Sequence, residues 1–435
     1  MGKAGGINSK KSHIKFIDLF AGIGGIRLGF EQAAQEFGVV TDCVFTSEIK
    51  SYAINVLRQN HGNGKIHGDI TKISSQEIPD FDVLLAGFPC QAFSAAGKRH
   101  GFADTRGTLF FEVERILNEK NPAGFLLENV EGLVNHDGGK TLATIINRLE
   151  SLGYKVNWRI LNAKNFNLPQ DRKRIYIAGT KTQKINLENF IAKSCSLEKI
   201  LQSGLPTSDS KFVKNLLSHY KVEELFGKAI KDKRGGANNI HSWDLELKGK
   251  VSVRQKLLLN SLLKERRKKK WSAEFGIDWM DGMPLTLKQI KTFFDNENLE
   301  SDLEDLVQKK YLVKEHPKKR VSETDLLGNK KSFRVQDETL PLGYNIVTGK
   351  MSFEVNKILD PRGIAPTLVA MDMQHLFVAD GNGIRPLSLR EGLRLFGYPE
   401  NFEFDVSVDE GYDLLGNTVC VPVIRAVSKK LLEAI

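Results

Sequence analysis

Strand and helix signals alternate through the first 180 residues, and that alternation limits this chain more than any other feature. It predicts a doubly wound α/β domain, Rossmann-like, built on a largely parallel sheet. Phe16-Ile17-Asp18-Leu19-Phe20 reads as a first strand, Ala21-Gly22-Ile23-Gly24-Gly25 as a glycine loop, and Ile26 to Phe37 as a helix. That helix sets Ile26, Phe30, Ala33 and Phe37 on one side. A second strand covers Asp42 to Thr46 and ends in Ser47-Glu48, and a third runs up to His67-Gly68-Asp69. Asp82 to Ala86 reads as a fourth strand, and Gly124 to Leu127 as a fifth that ends in Glu128-Asn129-Val130. A later hairpin pairs Val156 to Leu161 with Arg174 to Ala178. Open α/β sheets collect their chemistry outside the carboxyl ends of their strands, so the loops after these runs are the places to look.

The fourth strand is followed by Gly87-Phe88-Pro89-Cys90-Gln91-Ala92-Phe93-Ser94. Pro89 lacks an N–H and has a fixed φ, so it ends the strand and stiffens the entry to Cys90. A lone cysteine is more often a small buried hydrophobe than a nucleophile, so the reading of Cys90 depends on its company. The glycine loop has G-x-G at Gly22 and Gly24, but Arg27 stands where a third glycine would close a dinucleotide fingerprint. A ligand that needs only close backbone approach fits this loop better than a pyrophosphate. Glu48 is placed to accept from ribose hydroxyls, and Asp69 to read an adenine amino group. Either alone reads as a solvated acid at a strand end. One feature on each of three successive strands makes a nucleoside pocket the better reading.

Composition narrows the class further. The 435 residues are long enough for two domains, and 41% hydrophobic with 27% charged residues describes a soluble globular chain. Four cysteines without a C-x-x-C pair argue against a disulfide scaffold or a zinc site and for a reducing compartment. The nine histidines form no metal-binding pattern, so no metal is expected. No apolar run approaches the ~18 residues of a membrane span, and the lysines near the N-terminus have no apolar core behind them. Met1 to Lys11 reads as a Gly-rich basic tail. The net charge of +10 is compatible with a polyanionic partner.

Six segments then occur in a telling order: FIDLFAGIGG, GFPCQAFS, ENV, QDRKRIYIAG, REGLRLFGYPENF and GNTV. Together they resemble the ordered motifs of the C5-cytosine DNA methyltransferases, in particular the bacterial restriction–modification type. The resemblance covers about residues 15–180 and 384–435. It implies the cofactor S-adenosylmethionine, double-stranded DNA as substrate, and a cytosine flipped out of the duplex. Cys90 matches the family's nucleophile and Glu128 its ENV glutamate; Arg174 would hold the cytosine O2, with Arg172 assisting. Phe20, Ala21, Gly22, Ile23, Gly24 and Gly25 would surround the cofactor. Glu48 and Ile49 would flank its ribose and adenine, with Asp69 and Ile70 at the next strand tip. By this likeness Gly87 and Pro89 would also bind the cofactor, Leu109 would touch its methionine side, and Asn417, Thr418 and Val419 return from the C-terminus to complete the pocket. Ile49 departs from the pattern, which often has an aromatic residue there to stack on adenine; an aliphatic face can still cover a purine.

The likeness implies three segments: 12–184 as the catalytic and cofactor-binding domain, 185–383 as a smaller target-recognition domain, and 384–435 as a return to the first. The loop from Gln91 to Thr108, hinged at Gly97, Gly101 and Gly107, has the size of a lid over DNA. Gln91, Ser94, Lys98 and Arg99 are its candidate DNA contacts, and Arg362 and Thr367 are those at the exit from the middle region. Within that region, the basic run 264–270 before Trp271 tracks phosphates or forms a solvated helix end, with the two readings about even. Leu285 to Val313 reads as two short helices and a strand, with Thr286 as an N-cap. The expected setting is the bacterial cytoplasm, as a monomer, with a cognate restriction endonuclease acting on the same site but not as a stable subunit. The alternatives are a transfer-RNA cytosine methyltransferase and a non-catalytic DNA-binding regulator. The long middle region speaks against the first, and the intact Cys90, Glu128 and Arg174 against the second.

Overall fold

The computed structural model describes residues 12–62, 64–89, 108–233, 235–278, 282–324, 330–347 and 353–435. The chain divides into two compact units, Met1–Gln202 with Pro361–Gln374 and Leu387–Ile435, and Ser203–Asp360 with His375–Pro386. Residues 185–202 and 361–374, which the sequence assigns to the middle region, thus lie in the first unit. Their backbones are paired with each other: Leu197 N–H donates to the Gly363 carbonyl at 3.0 Å, and Glu198 N–H to that of Pro361 at 2.8 Å.

In the first unit the elements run β1 (His13–Leu19), α1 (Gly25–Glu36), β2 (Val40–Ser47), α2 (Ser51–His61), β3 (Ile66–His67), β4 (Val83–Ala86), α3 (Thr108–Lys120), β5 (Gly124–Val130), α4 (Lys140–Ser151), β6 (Lys155–Asn162) and β7 (Lys173–Thr180). The strands form one sheet in the order β3-β2-β1-β4-β5-β7-β6. β1 to β5 are parallel, and β7 runs antiparallel to both β5 and β6. The expected hairpin is present, with Val156 opposite Gly179. Helices cover both faces, so central strands are buried on both sides and read as unbroken apolar runs. Val83, Leu84, Leu85 and Ala86 are all fully buried. Ile17, Leu84, Phe125 and Ile177 belong to one apolar cluster closed by Val113 and Ile116 of α3 and Ile145 of α4. Burying each such side chain contributes about 1.5–3 kcal/mol. Leu84→Ala would cost about 2–5 kcal/mol through the cavity it leaves.

The sheet reverses its direction of growth between β1 and β4. The loops after those two strands therefore open onto the same crevice, the usual ligand position in this architecture.

The second unit contains α5 (Lys211–His219), β8 (Ala229–Ile230), β9 (Asn239–Ile240), α6 (Val253–Glu265), α7 (Lys269–Glu274), α8 (Leu287–Lys291), α9 (Leu299–Gln308), β10 (Leu312–Glu315), β11 (Lys318–Thr324), β12 (Lys330–Gln336), β13 (Gly343–Ile346), β14 (Lys357–Ile358), β15 (Leu376–Asp380) and β16 (Gly383–Pro386). It has two cores. Val213, Leu216, Ile230, Ile358 and Phe377 pack around a small sheet ordered β16-β15-β14-β8-β9. Leu258, Leu262, Trp271, Leu303, Leu312 and Ile346 form the other. Thr286 caps α8 as expected, its Oγ1 accepting from Gln289 N–H at 3.2 Å.

The basic run is less cationic than its sequence suggests. Arg266 is buried, with Nη1 donating to Asn345 Oδ1 at 2.7 Å, and Trp271 is buried in the helical core. Glu265 pairs with Lys268 and, at 3.9 Å, with Lys270. The chain then returns to the first unit as α10 (Leu389–Phe396), α11 (Val408–Asn417) and α12 (Val421–Leu432). No helix of the described residues is long and apolar enough to cross a membrane.

Candidate active site

The glycine loop leaves β1 through an unusual backbone. Phe20 has φ +56°, a left-handed conformation that costs a non-glycine residue energy, and Gly22 and Gly24 follow at +56° and +80°. The loop is fastened from the neighbouring strand tip. Glu48 is 8% exposed, and its carboxylate accepts from Gly22 N–H at 2.7 Å and from Ile49 and Lys50 N–H at 2.8 Å each. A carboxylate has about four acceptor positions. Three are used by backbone here, which leaves one, on Oε2, for a hydroxyl. Asp69 uses only Oδ1 toward Thr71, at 3.0 Å to N and 2.8 Å to Oγ1. Those bonds hold its carboxyl below the usual range, so it is ionised, and Oδ2 remains to accept from an amino group. Ile49 is 72% exposed between these acids, and Ile70 is buried behind them.

The C-terminal segment closes the same region. A Cβ on Gly25 would stand 2.4 Å from the Tyr398 hydroxyl and 2.8 Å from Val419 Cγ2, so only glycine permits this approach. Tyr398 Oη is 2.6 Å from Thr418 Oγ1. Asp413 ties α11 to the start of α2, accepting from Lys50 Nζ and from Tyr52 Oη at 2.6 Å each, and Asn417 Nδ2 donates to the same Asp413. Lys50, Tyr52, Tyr398 and Asp413 were not singled out from the sequence. The pairings of Asp413 with Lys50 and Tyr52 span more than 360 residues, and no local pattern announces them. The donors, acceptors and open backbone here fit a nucleoside cofactor. Glu48 would hold the ribose, Asp69 the adenine amine, and Gly22, whose missing Cβ leaves open space, the closest approach.

Across the crevice, β4 ends at Ala86 and Gly87, and a Cβ on Gly87 would lie 3.8 Å from Glu128 Oε2. Asn129 Nδ2 donates to the Phe88 carbonyl at 3.0 Å, which fixes the loop after β4 to the tip of β5. Asn129 is thus a positioning residue that the ENV motif contained without a role attached. Glu128 is 9% exposed, and burial pushes its carboxyl up while Arg174 and Arg172 pull it down. Arg174 Nε lies 3.3 Å from Glu128 Oε1. Beside this pair opens a cavity of about 450 Å³ lined by Val130, Glu131, Asp171, Arg174, Pro366 and Thr367, among others. Thr367 Oγ1 donates to the Asp171 carbonyl at 2.6 Å, so it faces the cavity from a braced backbone.

Arg172 does not join them. It is buried, and its guanidinium donates to the carbonyls of Leu368 at 2.9 Å and Thr418 at 2.7 Å, over the Phe396 ring. Burial lowers its pKa to about 10. Arg362 is exposed in the first unit, and Leu109 sits half-buried in the first turn of α3. Cys90, Gln91, Ser94, Lys98 and Arg99 lie outside the described residues. A larger cavity of about 660 Å³, lined by Phe166, Lys199, Arg394 and Lys429 among others, contains none of these groups.

Asp18 also escaped the sequence reading. It lies on β1 just before the loop, fully buried, with neither oxygen hydrogen-bonded among the described residues. Burial raises its pKa to about 7.

The first unit thus combines a largely parallel sheet with a crevice at its strand tips, where a buried carboxyl meets a half-buried guanidinium. The fold is similar to that of a solved mutant of DNMT2 from Spodoptera frugiperda, with a TM-score of 0.51 and 16% identity over 96% of this chain and 99% of that one. The family model for C-5 cytosine-specific DNA methylase matches residues 14–433. The chain is 59% identical over 429 residues to Type II methyltransferase M.NlaIV of Neisseria lactamica, covering 97% of this chain and 99% of that protein. It is 58% identical over 429 residues to Type II methyltransferase M.NgoBV of Neisseria gonorrhoeae, with the same shares covered. The chain belongs to the C-5 cytosine-specific DNA methylase family, and it is a DNA cytosine methyltransferase.

Proposed function

We propose that this enzyme methylates C5 of a cytosine flipped out of a specific short duplex sequence, through a covalent adduct between Cys90 Sγ and C6. The observation that supports this reading best is the buried Glu128 carboxyl, paired with the half-buried Arg174 beside an open cavity at the tip of β5, the strand next to the one that precedes Cys90. C5 of cytosine is a poor nucleophile. Addition of a thiolate at C6 turns C5 into an enamine carbon able to attack. Glu128, its carboxyl pushed up by burial, is placed to donate a hydrogen bond to N3 as negative charge develops on the ring. Arg174 donates to O2 and stabilises the same charge. S-adenosylmethionine, when bound, supplies the electrophilic methyl group. Loss of the C5 proton then expels Cys90 and restores the aromatic ring. Arg172 acts as a positioning residue, clamping the C-terminal segment that carries Thr418 to the start of β7.

The second unit supplies target recognition in this reading, because side chains at base edges must specify sequence and the reactive groups all lie on the first unit. Unpairing and flipping the base exposes the target atom. The similarity to Type II methyltransferases supports a role in a restriction–modification system of a bacterial cytoplasm, where a partner endonuclease acts on the same site. Bisulfite sequencing of DNA from cells expressing the chain tests this. A recurrent protected cytosine in one short sequence is expected, and its absence refutes the reading.

A further inference from the structure

β11 and β12 form a separate two-stranded sheet. Their register sets Lys318 opposite Gln336, Arg320 opposite Arg334 and Ser322 opposite Ser332. Side chains alternate along a strand, so these six share one face of the ribbon. Val321 opposite Phe333, with Val335, takes the other face. The two strands together hold six basic residues and one acidic residue, which makes the ribbon far more cationic than the chain as a whole.

Arg320 and Arg334 are both exposed and directly opposite each other, which puts two guanidinium groups at the centre of this polar face. The base of the ribbon is firmly held. Asp337 N–H donates to the Pro317 carbonyl at 2.8 Å, His316 Nδ1 meets the Leu340 carbonyl at 2.6 Å, and Lys319 pairs with Asp337 at 3.3 Å. Below it, β10 and β13 pair and place Leu312 and Ile346 in the helical core. The second unit therefore presents a braced arm with a polar, cationic face. A two-stranded ribbon has the width that the DNA major groove admits, and arginine forks match the two acceptors of guanine.

Resting on the reading of this chain as a duplex-DNA methyltransferase, we propose that the β11–β12 ribbon enters the major groove of the target sequence. Arg320 and Arg334 there donate to base edges, with Ser322, Ser332 and Gln336 beside them. The basic run 264–270, thinned by the burial of Arg266 and the pairing of Glu265, is not the reader.

The test compares wild type with R320K/R334K and R320A/R334A. The target found by bisulfite sequencing and a scrambled duplex of equal length are each titrated by fluorescence anisotropy at several salt concentrations. The Lys pair keeps the charge and loses the fork. It should bind the target at least about tenfold more weakly, and the scrambled duplex within about twofold of wild type. The Ala pair should lose the same discrimination and also flatten the salt dependence. Unchanged melting temperatures and unchanged binding of S-adenosylhomocysteine exclude a folding defect. A target-to-scrambled ratio that stays at the wild-type value in the Lys pair overturns the proposal, whether binding is intact or uniformly weaker. If wild type itself modifies no cytosine in duplex DNA, the underlying reading fails, and the ribbon proposal with it.

Discussion

The strand tips of the first unit and the β11–β12 ribbon of the second both carry charge, but they hold it in opposite ways. Glu48 and Arg172 are buried and bonded to backbone, and Glu128 is buried and paired with Arg174, so their geometry is set before any ligand arrives. Arg320, Ser322, Ser332 and Arg334 are exposed on a ribbon braced at its base. The difference follows from the tasks. Stabilising charge on a ring needs preorganised dipoles out of water. Reading a groove needs side chains that reach outward and exchange water for base edges. Substitution at the tips should therefore disturb chemistry or stability, and substitution on the ribbon should change partner choice and little else.

The largest effect expected is at Glu128. Glu128→Gln keeps the shape but removes the carboxyl. Single-turnover transfer of labelled methyl groups should fall by about 10²–10³-fold, with duplex affinity near wild type. A fall of less than tenfold would break the contrast at its strongest point.

Asp18 comes next. Its folded pKa of about 7 lies well above the ordinary value of 3.8, so its neutral form is the one that folding favours. The stability it contributes is complete below about pH 4 and is lost as pH rises toward 7. Relative to Asp18→Asn, wild type should lose stability over that window by at most about 4 kcal/mol. Denaturant melts of both proteins between pH 4 and 8 measure the difference; a gap that does not vary with pH would contradict the buried, unpaired carboxyl.

Glu48→Ala should weaken S-adenosylhomocysteine binding by about 1–3 kcal/mol, measured calorimetrically. It removes the acceptor that both fastens the glycine loop and faces the ribose. Unchanged affinity would place the ribose elsewhere. Smallest of all, Arg320→Ala with Arg334→Ala should move stability by no more than about 0.5 kcal/mol in chemical denaturation. A larger loss would mean that the ribbon is a structural prop and not an outward-facing reader.

Much of the first unit was legible because its signals are local. Apolar runs such as Val83–Ala86 mark strands buried on both faces; Gly22 and Glu48 lie in the loops after β1 and β2, and Glu128 lies near the end of β5. The surroundings of Arg172 were not legible: its partners, Leu368 and Thr418, lie about 200 and 250 residues away, where no periodicity reaches. The same holds for Asp413 with Lys50 and Tyr52. In the second unit, Lys264–Lys270 looked like a surface patch, yet composition cannot show that Arg266 turns inward to Asn345. The ribbon's cationic face becomes visible only once the register pairs Arg320 with Arg334.

The central claim is that the crevice between β1, β4 and β5 performs covalent cytosine chemistry through the thiol that follows β4. A duplex carrying 5-fluorocytosine at the target, which blocks the final loss from C5, tests it most directly. With S-adenosylmethionine, wild type should form a complex that survives denaturing electrophoresis, and Cys90→Ser should bind the duplex without forming it. A denaturation-resistant complex with Cys90→Ser, or none with wild type that methylates the ordinary duplex, would contradict the account.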